Sequence, residues 1–245
     1  MTGPVAVIAL ARGKANAMNL EMIGEMADAF DSAESEAGAV VWSSRTPRFF
    51  SAGFDVNEVF GYDREKLTEF LATFSRLQQR VLHSAKPTVA ALPGQTYAGG
   101  AILALSCDFR VMAPGPDEAP YGFALTEVNI GVNLPPSIFH LLAVAAGVPL
   151  ARRMFLTGEP ATSREALAAG LVSELVPEAE VEPRAIELAA KLAAKPAATY
   201  AQIKRTILAS TGLMPTDDPV ADVEAWFTPE AQEFKRRMRE KLAGR

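Results

Sequence analysis

The sequence predicts an α/β protein with largely parallel strand pairing, followed by a helical carboxy-terminal region. Three observations carry that expectation. Short apolar stretches rich in Val, Ile and Leu alternate with segments of helical periodicity. Parallel neighbours need crossovers of a dozen residues or more, and the helical segments supply them. After about Pro183 the strand signal almost disappears and only helical periodicity is left.

The elements follow in order. "VAVIALA" from Val5 reads as the first strand, and "AVVWSS", "TVAAL", "DFRVMA" and "LVSELV" as four more. Between the first two, Met22, Met26, Phe30 and Ala33 repeat at helical spacing behind Asn19. Behind Asp63 the same spacing links Leu67, Phe70, Leu71, Phe74, Leu77 and Val81. Asn19 and Asp63 are the expected N-caps, because a short polar side chain there can accept from the first free backbone amides. From Arg184 to Arg245 the helical pattern is interrupted by Pro196, Pro215, Pro219 and Pro229. The break near Pro196 divides the chain into residues 1–195, a core, and residues 196–245, a helical region.

Composition excludes several functions. With 245 residues, 49% of them hydrophobic, the chain can bury a large core. A net charge of −5 argues against a general nucleic-acid surface, and the run "KRRMREK" near the carboxy terminus reads as a solvated helix face. Cys107 is the single cysteine, and His83 and His140 are the two histidines. That inventory leaves no intramolecular disulfide, no thiolate cluster and no histidine-rich zinc site. The expectation is therefore no metal and a reducing, cytoplasmic setting. "MTGPVAVIAL" lacks the basic head of a secretory signal, and the apolar run from Ile138 to Ala151 falls short of the ~20 residues that span a bilayer. No membrane association is expected.

Two small-residue turns stand out. "FFSAGFD", from Phe49 to Asp55, passes from two bulky aromatics to two of the smallest side chains and a glycine. "QTYAGGAI", from Gln95 to Ile102, places Gly99 and Gly100 at the start of an apolar helix. The first amides of a helix have no intrahelical acceptor, and small residues leave them uncovered. The two turns therefore read as halves of one anion pocket. A plainer reading stands beside this one: Gly53 permits a left-handed turn, and Gly99 with Gly100 lets a helix pack closely on a sheet.

Together with "GKANAMN", "KPTVAALPGQTYAGGAILALSCDFRV", "YGFALTEVNIGV" and "RRMFLTGEPATSREALAAGLVSELVP", these segments resemble the enoyl-CoA hydratase/isomerase family, the crotonases, over nearly the whole chain. The resemblance implies a crotonase-like ββα superhelix with a helical carboxy-terminal region that packs trimers, or a dimer of trimers. It implies a coenzyme A thioester as ligand, with the backbone amides of Ala52 and Gly99 forming an oxyanion hole for its carbonyl. It places Arg12, Lys14 and Ala15 near the nucleotide, and Phe54, Asp55, Gly100 and Ile102 beside the substrate. For Asp55 the residue-level reading is a helix cap. Tyr97 and Asn129 are read as core packing and a turn, ahead of contacts to the acyl chain, and Cys107 as a buried small hydrophobe.

The same resemblance bears on the reaction. Hydratases of the family use two glutamates; aligned on "SCD", the first falls at Ile102 and the second at Glu127. A single carboxylate suits a 1,3-proton shift, with Glu127 as base, and the pattern looks like the monofunctional Δ3,Δ2-enoyl-CoA isomerases of fatty acid metabolism. The tail "ADVEAWFTPEAQEFKRRMREKL" also resembles theirs. Other crotonase reactions such as hydration, and a non-catalytic acyl-CoA binder, are the alternatives. "AGGAI" is not a dinucleotide fingerprint, so no flavin or nicotinamide is implied. Coenzyme A enters as part of the substrate.

Overall fold

The computed structural model describes residues 5–213 and 227–243. The five apolar stretches form one sheet. β1 (Val5–Leu10), β2 (Ala39–Ser44), β4 (Thr88–Leu92), β6 (Phe109–Met112) and β9 (Glu174–Leu175) lie side by side in that order, all parallel. A second sheet contains β3 (Phe49–Ser51), β5 (Gln95–Tyr97), β7 (Gly122–Ala124) and β8 (Ala161–Thr162). Its first three strands run parallel and its last pair antiparallel.

The chain visits the two sheets alternately, β2 then β3, β4 then β5, β6 then β7, and a helical segment follows each pair. After β3 come α2 (Val56–Val59) and α3 (Arg64–His83), and after β5 comes α4 (Gly99–Ser106). After β7 come a 3₁₀ turn (Glu127–Ile130), α5 (Pro136–Ala146) and α6 (Val148–Thr157). This is the ββα succession implied by the resemblance. Among the described residues the remaining α-helices are α1 (Leu20–Glu36), α7 (Ser163–Ala168), α8 (Val181–Ala193), α9 (Ala197–Ser210) and α10 (Pro229–Ala243).

Local chemistry starts the long helices where the sequence places them. The Asn19 side chain accepts from the Met22 amide, and Asp63 accepts from the Lys66 amide. α1 buries Met22, Ile23, Met26, Phe30 and Ala33, and Phe30 stacks near Trp42 of β2, ring centroids 5.9 Å apart. α3 buries Leu67, Phe70, Phe74, Leu77 and Val81, while Leu71 is half-buried.

All eight residues of α4 are buried, so its end groups need partners other than bulk water. Arg110, itself buried, closes its carboxyl end. The guanidinium donates to the carbonyls of Ala104 and Cys107 at 3.2 and 2.7 Å, and its Nε donates to Leu171. Cys107 lies next to this cap and is buried, which pushes its thiol up to about 12 and leaves it protonated.

Asp108 joins the helical region to the core. Its carboxylate accepts from the Thr88 amide at 2.9 Å and from the Tyr200 hydroxyl at 3.0 Å. Lys204 Nζ lies 2.8 Å from it, a close ion pair rather than a directed hydrogen bond. The break expected near Pro196 falls between α8 and α9, yet Tyr200 and Lys204 of α9 are fastened to the strand-rich part. Pro215, Pro219 and residues 221–226 of the tail motif lie outside the described residues. Among the described residues, no helix is long and apolar enough to cross a membrane.

Replacing Asp108 with Ala leaves a buried ammonium without its counter-charge. The expected loss is about 3–5 kcal/mol in urea unfolding, and an unfolding midpoint equal to that of the wild type would contradict this role.

Candidate active site

β3, β5 and β7 are neighbours and parallel, so the segments that follow them emerge at one edge of the second sheet. These are the "SAGF" turn, the "AGG" turn and the turn carrying Glu127. In α/β proteins this carboxyl edge of parallel strands is where ligands bind. The three sequence features expected to act together are thus brought together by topology.

The first two turns touch. Gly53 has φ +93, and a Cβ added there would sit 2.5 Å from Ala98 Cβ and 3.1 Å from the Gly99 nitrogen. A Cβ on Gly99 would meet the Phe54 ring at 2.7 Å and the Met18 methyl at 2.9 Å; one on Gly100 would meet Ser51 Cβ at 2.5 Å. Ala98 bears a side chain at φ +50, a strained backbone position of the kind that persists where surrounding contacts over-determine it. The plain reading of the glycines is correct as a description of packing. That packing is also what places the two turns against each other.

Segment 15–18 secures the first turn from behind. The Ala52 amide donates to the Ala15 carbonyl, Met18 to Gly53, and Asp55 to Met18, each at 2.8 Å. Asn16 is fully buried at φ +48, and its side chain makes four hydrogen bonds, to the Arg12 amide, Ser44, Thr46 and the Phe50 carbonyl. Ser51 Oγ accepts from the Gly53 amide and donates to the Asn16 carbonyl. The second turn is held by the Ala98 amide on the Ala124 carbonyl at 2.8 Å.

One expectation needs correction. The Ala52 amide, expected to be free, is consumed by Ala15. Gly53 at φ +93 turns the chain between Ala52 and Phe54, so both the Ala52 and the Asp55 amides donate to segment 15–18. In the parallel bridge between Met18 and Phe54 the Gly53 carbonyl and the Asp55 amide make the hydrogen bonds, which leaves the Phe54 amide outside the bridge. Among the described residues neither the Phe54 nor the Gly99 amide has an acceptor. Where the two turns touch, the amides without an acceptor are those of Phe54 and Gly99. The bridge to Met18 is the signal that singles out Phe54, and the sequence does not reveal that neighbour.

Glu127 opens the 3₁₀ turn three residues beyond Ala124, which pairs with Tyr97. It is only 4% exposed, and its Oε2 has no hydrogen-bond partner. Burial pushes its carboxyl up to about 7 from the ordinary 4.5, against a smaller downward pull from the backbone amides of Glu127 and Thr126. Ile102, expected where a second carboxylate would stand, is buried in the first turn of α4, 4% exposed.

The remaining candidates are distributed as follows. Arg12, expected near phosphate, is paired with Asp55 at 2.8 Å and Glu58 at 2.7 Å, which raises its pKa further, so it clasps the loop after β1 to α2. Asp55 caps α2 through the Asn57 amide, as the residue-level reading has it. Lys14 is exposed on that loop, and the Ala15 carbonyl is occupied by Ala52. The Phe54 ring packs edge-on against Phe70 and Phe74 of α3, centroids 4.7 and 4.9 Å apart. Tyr97 is half-buried and donates to Gln95. Sequence reasoning missed Asn16 and Ser51, whose side chains tie together segments more than 30 residues apart. Chemically, the arrangement offers two unpaired amides for a developing negative charge and one dry carboxylate for a proton.

Comparison with known proteins identifies the family and the fold. A family model described as enoyl-CoA hydratase/isomerase matches residues 1–233. Enoyl-CoA delta isomerase 1, mitochondrial, of Rattus norvegicus is 30% identical over 194 residues, covering 78% of this chain and 66% of the relative, just under two thirds of its length. A putative enoyl-CoA hydratase of Thermus thermophilus is 35% identical over 217 residues, 86% of this chain and 83% of the relative. The crystal structure of human mitochondrial delta3-delta2-enoyl-CoA isomerase superposes with a TM-score of 0.88 at 26% identity, over 98% of this chain and 94% of that one.

The raised carboxyl of Glu127 has a stability consequence. Between its ordinary value of 4.5 and about 7 the folded protein holds a proton that the unfolded chain has released. Stability from this group is therefore full below about 4.5 and lost as pH rises through about 7. At ~1.4 kcal/mol per pH unit the loss is about 3 kcal/mol. Glu127→Gln should exceed the wild type by about that much at pH 8 and by far less at pH 5 in urea unfolding; equal stability at pH 8 would contradict a buried, unpaired carboxylate.

Proposed function

We propose, for a chain that belongs to the enoyl-CoA hydratase/isomerase family, that its reaction is the Δ3,Δ2 isomerisation of an enoyl-CoA. The thioester oxygen accepts from the amides of Phe54 and Gly99. Glu127 takes a proton from C2, and the freed electron pair spreads through the carbonyl and the C3–C4 double bond as a dienolate. Protonated Glu127 then returns the proton to C4, leaving the double bond between C2 and C3. No atom is gained or lost, and the base ends as a carboxylate.

The observation that carries this reading is Glu127, the one buried carboxylate among the described residues, together with an apolar residue, Ile102, at the position of a second. A base with its carboxyl near 7 is half ionised at neutrality, the condition that favours giving back the proton it takes. Two preorganised donors contribute most where charge develops, typically about 3–4 kcal/mol for one donor in other enzymes. The names of the rat relative and of the human structure support the same reaction.

Hydration of a conjugated enoyl thioester is the second reading, favoured by the name of the Thermus thermophilus relative. It needs a second acid or base where Ile102 stands. A non-catalytic acyl-CoA binder gives no reason to keep a dry, unpaired carboxylate at a cost in stability. In the same proposal the substrate brings coenzyme A as its own carrier, and residues 196–245 pack copies of the chain into a trimer or a dimer of trimers. The exposed Ile203 and Ile207 of α9, each 56% exposed, are in keeping with that packing.

With trans-3-hexenoyl-CoA the wild type should generate the conjugated absorbance, and kcat/KM should fall tenfold per pH unit below about 7 as Glu127 protonates. Ile102→Glu, which supplies a second carboxylate, should raise hydration of trans-2-hexenoyl-CoA by at least ~10-fold while slowing isomerisation. Faster hydration of the 2-enoyl than isomerisation of the 3-enoyl substrate by the wild type would overturn the assignment.

A further inference from the structure

Glu127 stands on a 3₁₀ turn of four residues, a geometry whose hydrogen bonds are poorly aligned. Within the turn and just after it, the Asn129 amide donates to Thr126 and the Val132 amide to Glu127, both at 3.0 Å. The aim of the carboxylate therefore depends on what fastens the turn to its surroundings. Among the described residues, one side-chain hydrogen bond from residues 126–132 does so: Asn129 Nδ2 donates to the Gly158 carbonyl at 3.2 Å.

The receiving end is built for that amide. Gly158 ends α6 in the left-handed conformation at φ +63, with its own amide bonded to Met154. A Cβ there would lie 2.3 Å from Asn129 Nδ2, 2.8 Å from its Cγ and 2.9 Å from Val128 Cγ1. The space a side chain would fill is the space the Asn129 amide enters. α6 is a firm anchor, because Ala151 and Met154 are fully buried, whereas Asn129 itself is exposed and contributes little to the core. Hydrogen bond and steric fit are two separate observations on the same contact.

We infer that Asn129 is a positioning residue for the reaction: by tying the 3₁₀ turn to the Gly158 carbonyl, it holds the carboxylate of Glu127 in line with the substrate carbons. This rests on the reading of Glu127 as the base. Misplacement of a reacting group by about 1 Å can cost ~10²-fold in rate without weakening binding, so the deficit belongs in kcat rather than KM.

The test compares Asn129→Ala, Gly158→Ala, the double variant and Glu127→Gln. Two rates are followed: isomerisation of trans-3-hexenoyl-CoA, and deuterium exchange at C2 of butanoyl-CoA in heavy water, which needs the base but not the second proton delivery. Asn129→Ala should lower kcat and exchange by about 10–100-fold, with KM within about twofold and the unfolding midpoint unchanged. Gly158→Ala should lower both rates by a similar factor by displacing the amide, with a lower unfolding midpoint because alanine is strained at φ +63. In the Asn129→Ala background the added methyl should lower the rates by much less than in the wild type, since the close contact left to it is Val128 Cγ1. Wild-type rates in Asn129→Ala beside an inactive Glu127→Gln would overturn the positioning role and leave the base intact. Wild-type exchange in Glu127→Gln would overturn the base reading and this inference with it. A rate loss in Asn129→Ala that merely tracks loss of folded protein would also overturn it.

Discussion

There is no room for a methyl group between Gly53 and the Ala98 methyl beside the Gly99 amide, and the architecture of the site depends on that contact. It joins the turn after β3 to the turn after β5 closely enough that Ala98 is forced to a positive φ. Such strain typically costs about 1–3 kcal/mol and survives only when neighbouring contacts hold it in place. Here they are the Ala98 amide on Ala124, the Asn16 hub, and the Gly100 approach to Ser51. Because both turns are immobilised from behind, the amides of Phe54 and Gly99 keep their direction without an internal partner. Preorganised donors of this kind need no reorganisation when charge develops.

α4 extends the same logic through the core. A wholly buried helix must satisfy its end groups internally, and this one does so at one end only. Arg110 covers the carbonyls at the carboxyl end, where a cation also meets the negative pole of the dipole. The amino end is left open toward Phe54. A buried guanidinium is costly, and burial lowers its pKa, but its hydrogen bonds to carbonyls compensate. Glu127 shows the opposite choice: burial without a partner for Oε2, which destabilises the ionised fold and raises the basicity of the group. A buried carboxylate without a partner thus trades stability for basicity.

The first sheet was legible because each of its strands, or the stretch around it, is long enough to show an apolar run, and α1 and α3 because both the N-cap and the buried face leave a mark. β3, β5 and β7 were not, since three residues give no periodicity to read. They lie inside the very motifs that looked functional, "FFSAGFD", "QTYAGG" and "YGFALTE". Glu127 and Ile102 could be placed by resemblance alone, because their environment is made by segments far apart in the chain. The resemblance points to the Ala52 amide, and a sequence cannot show that Ala15 occupies it. Arg12 looked like a phosphate ligand because a sequence cannot show that Asp55 and Glu58 face it. Asn129 was read as a turn residue, which it is; its reach to Gly158 depends on where α6 ends.

The central claim is geometric: one thioester oxygen can be shared by two fixed amides while a dry carboxylate faces the neighbouring carbon. The most direct test is a crystal structure of the protein with octanoyl-CoA bound. The account predicts the thioester oxygen within about 3 Å of both the Phe54 and Gly99 nitrogens, the Ala52 amide still on Ala15, and Glu127 against C2. A carbonyl bound away from this amide pair, or a C2 atom beyond the reach of Glu127, would contradict it.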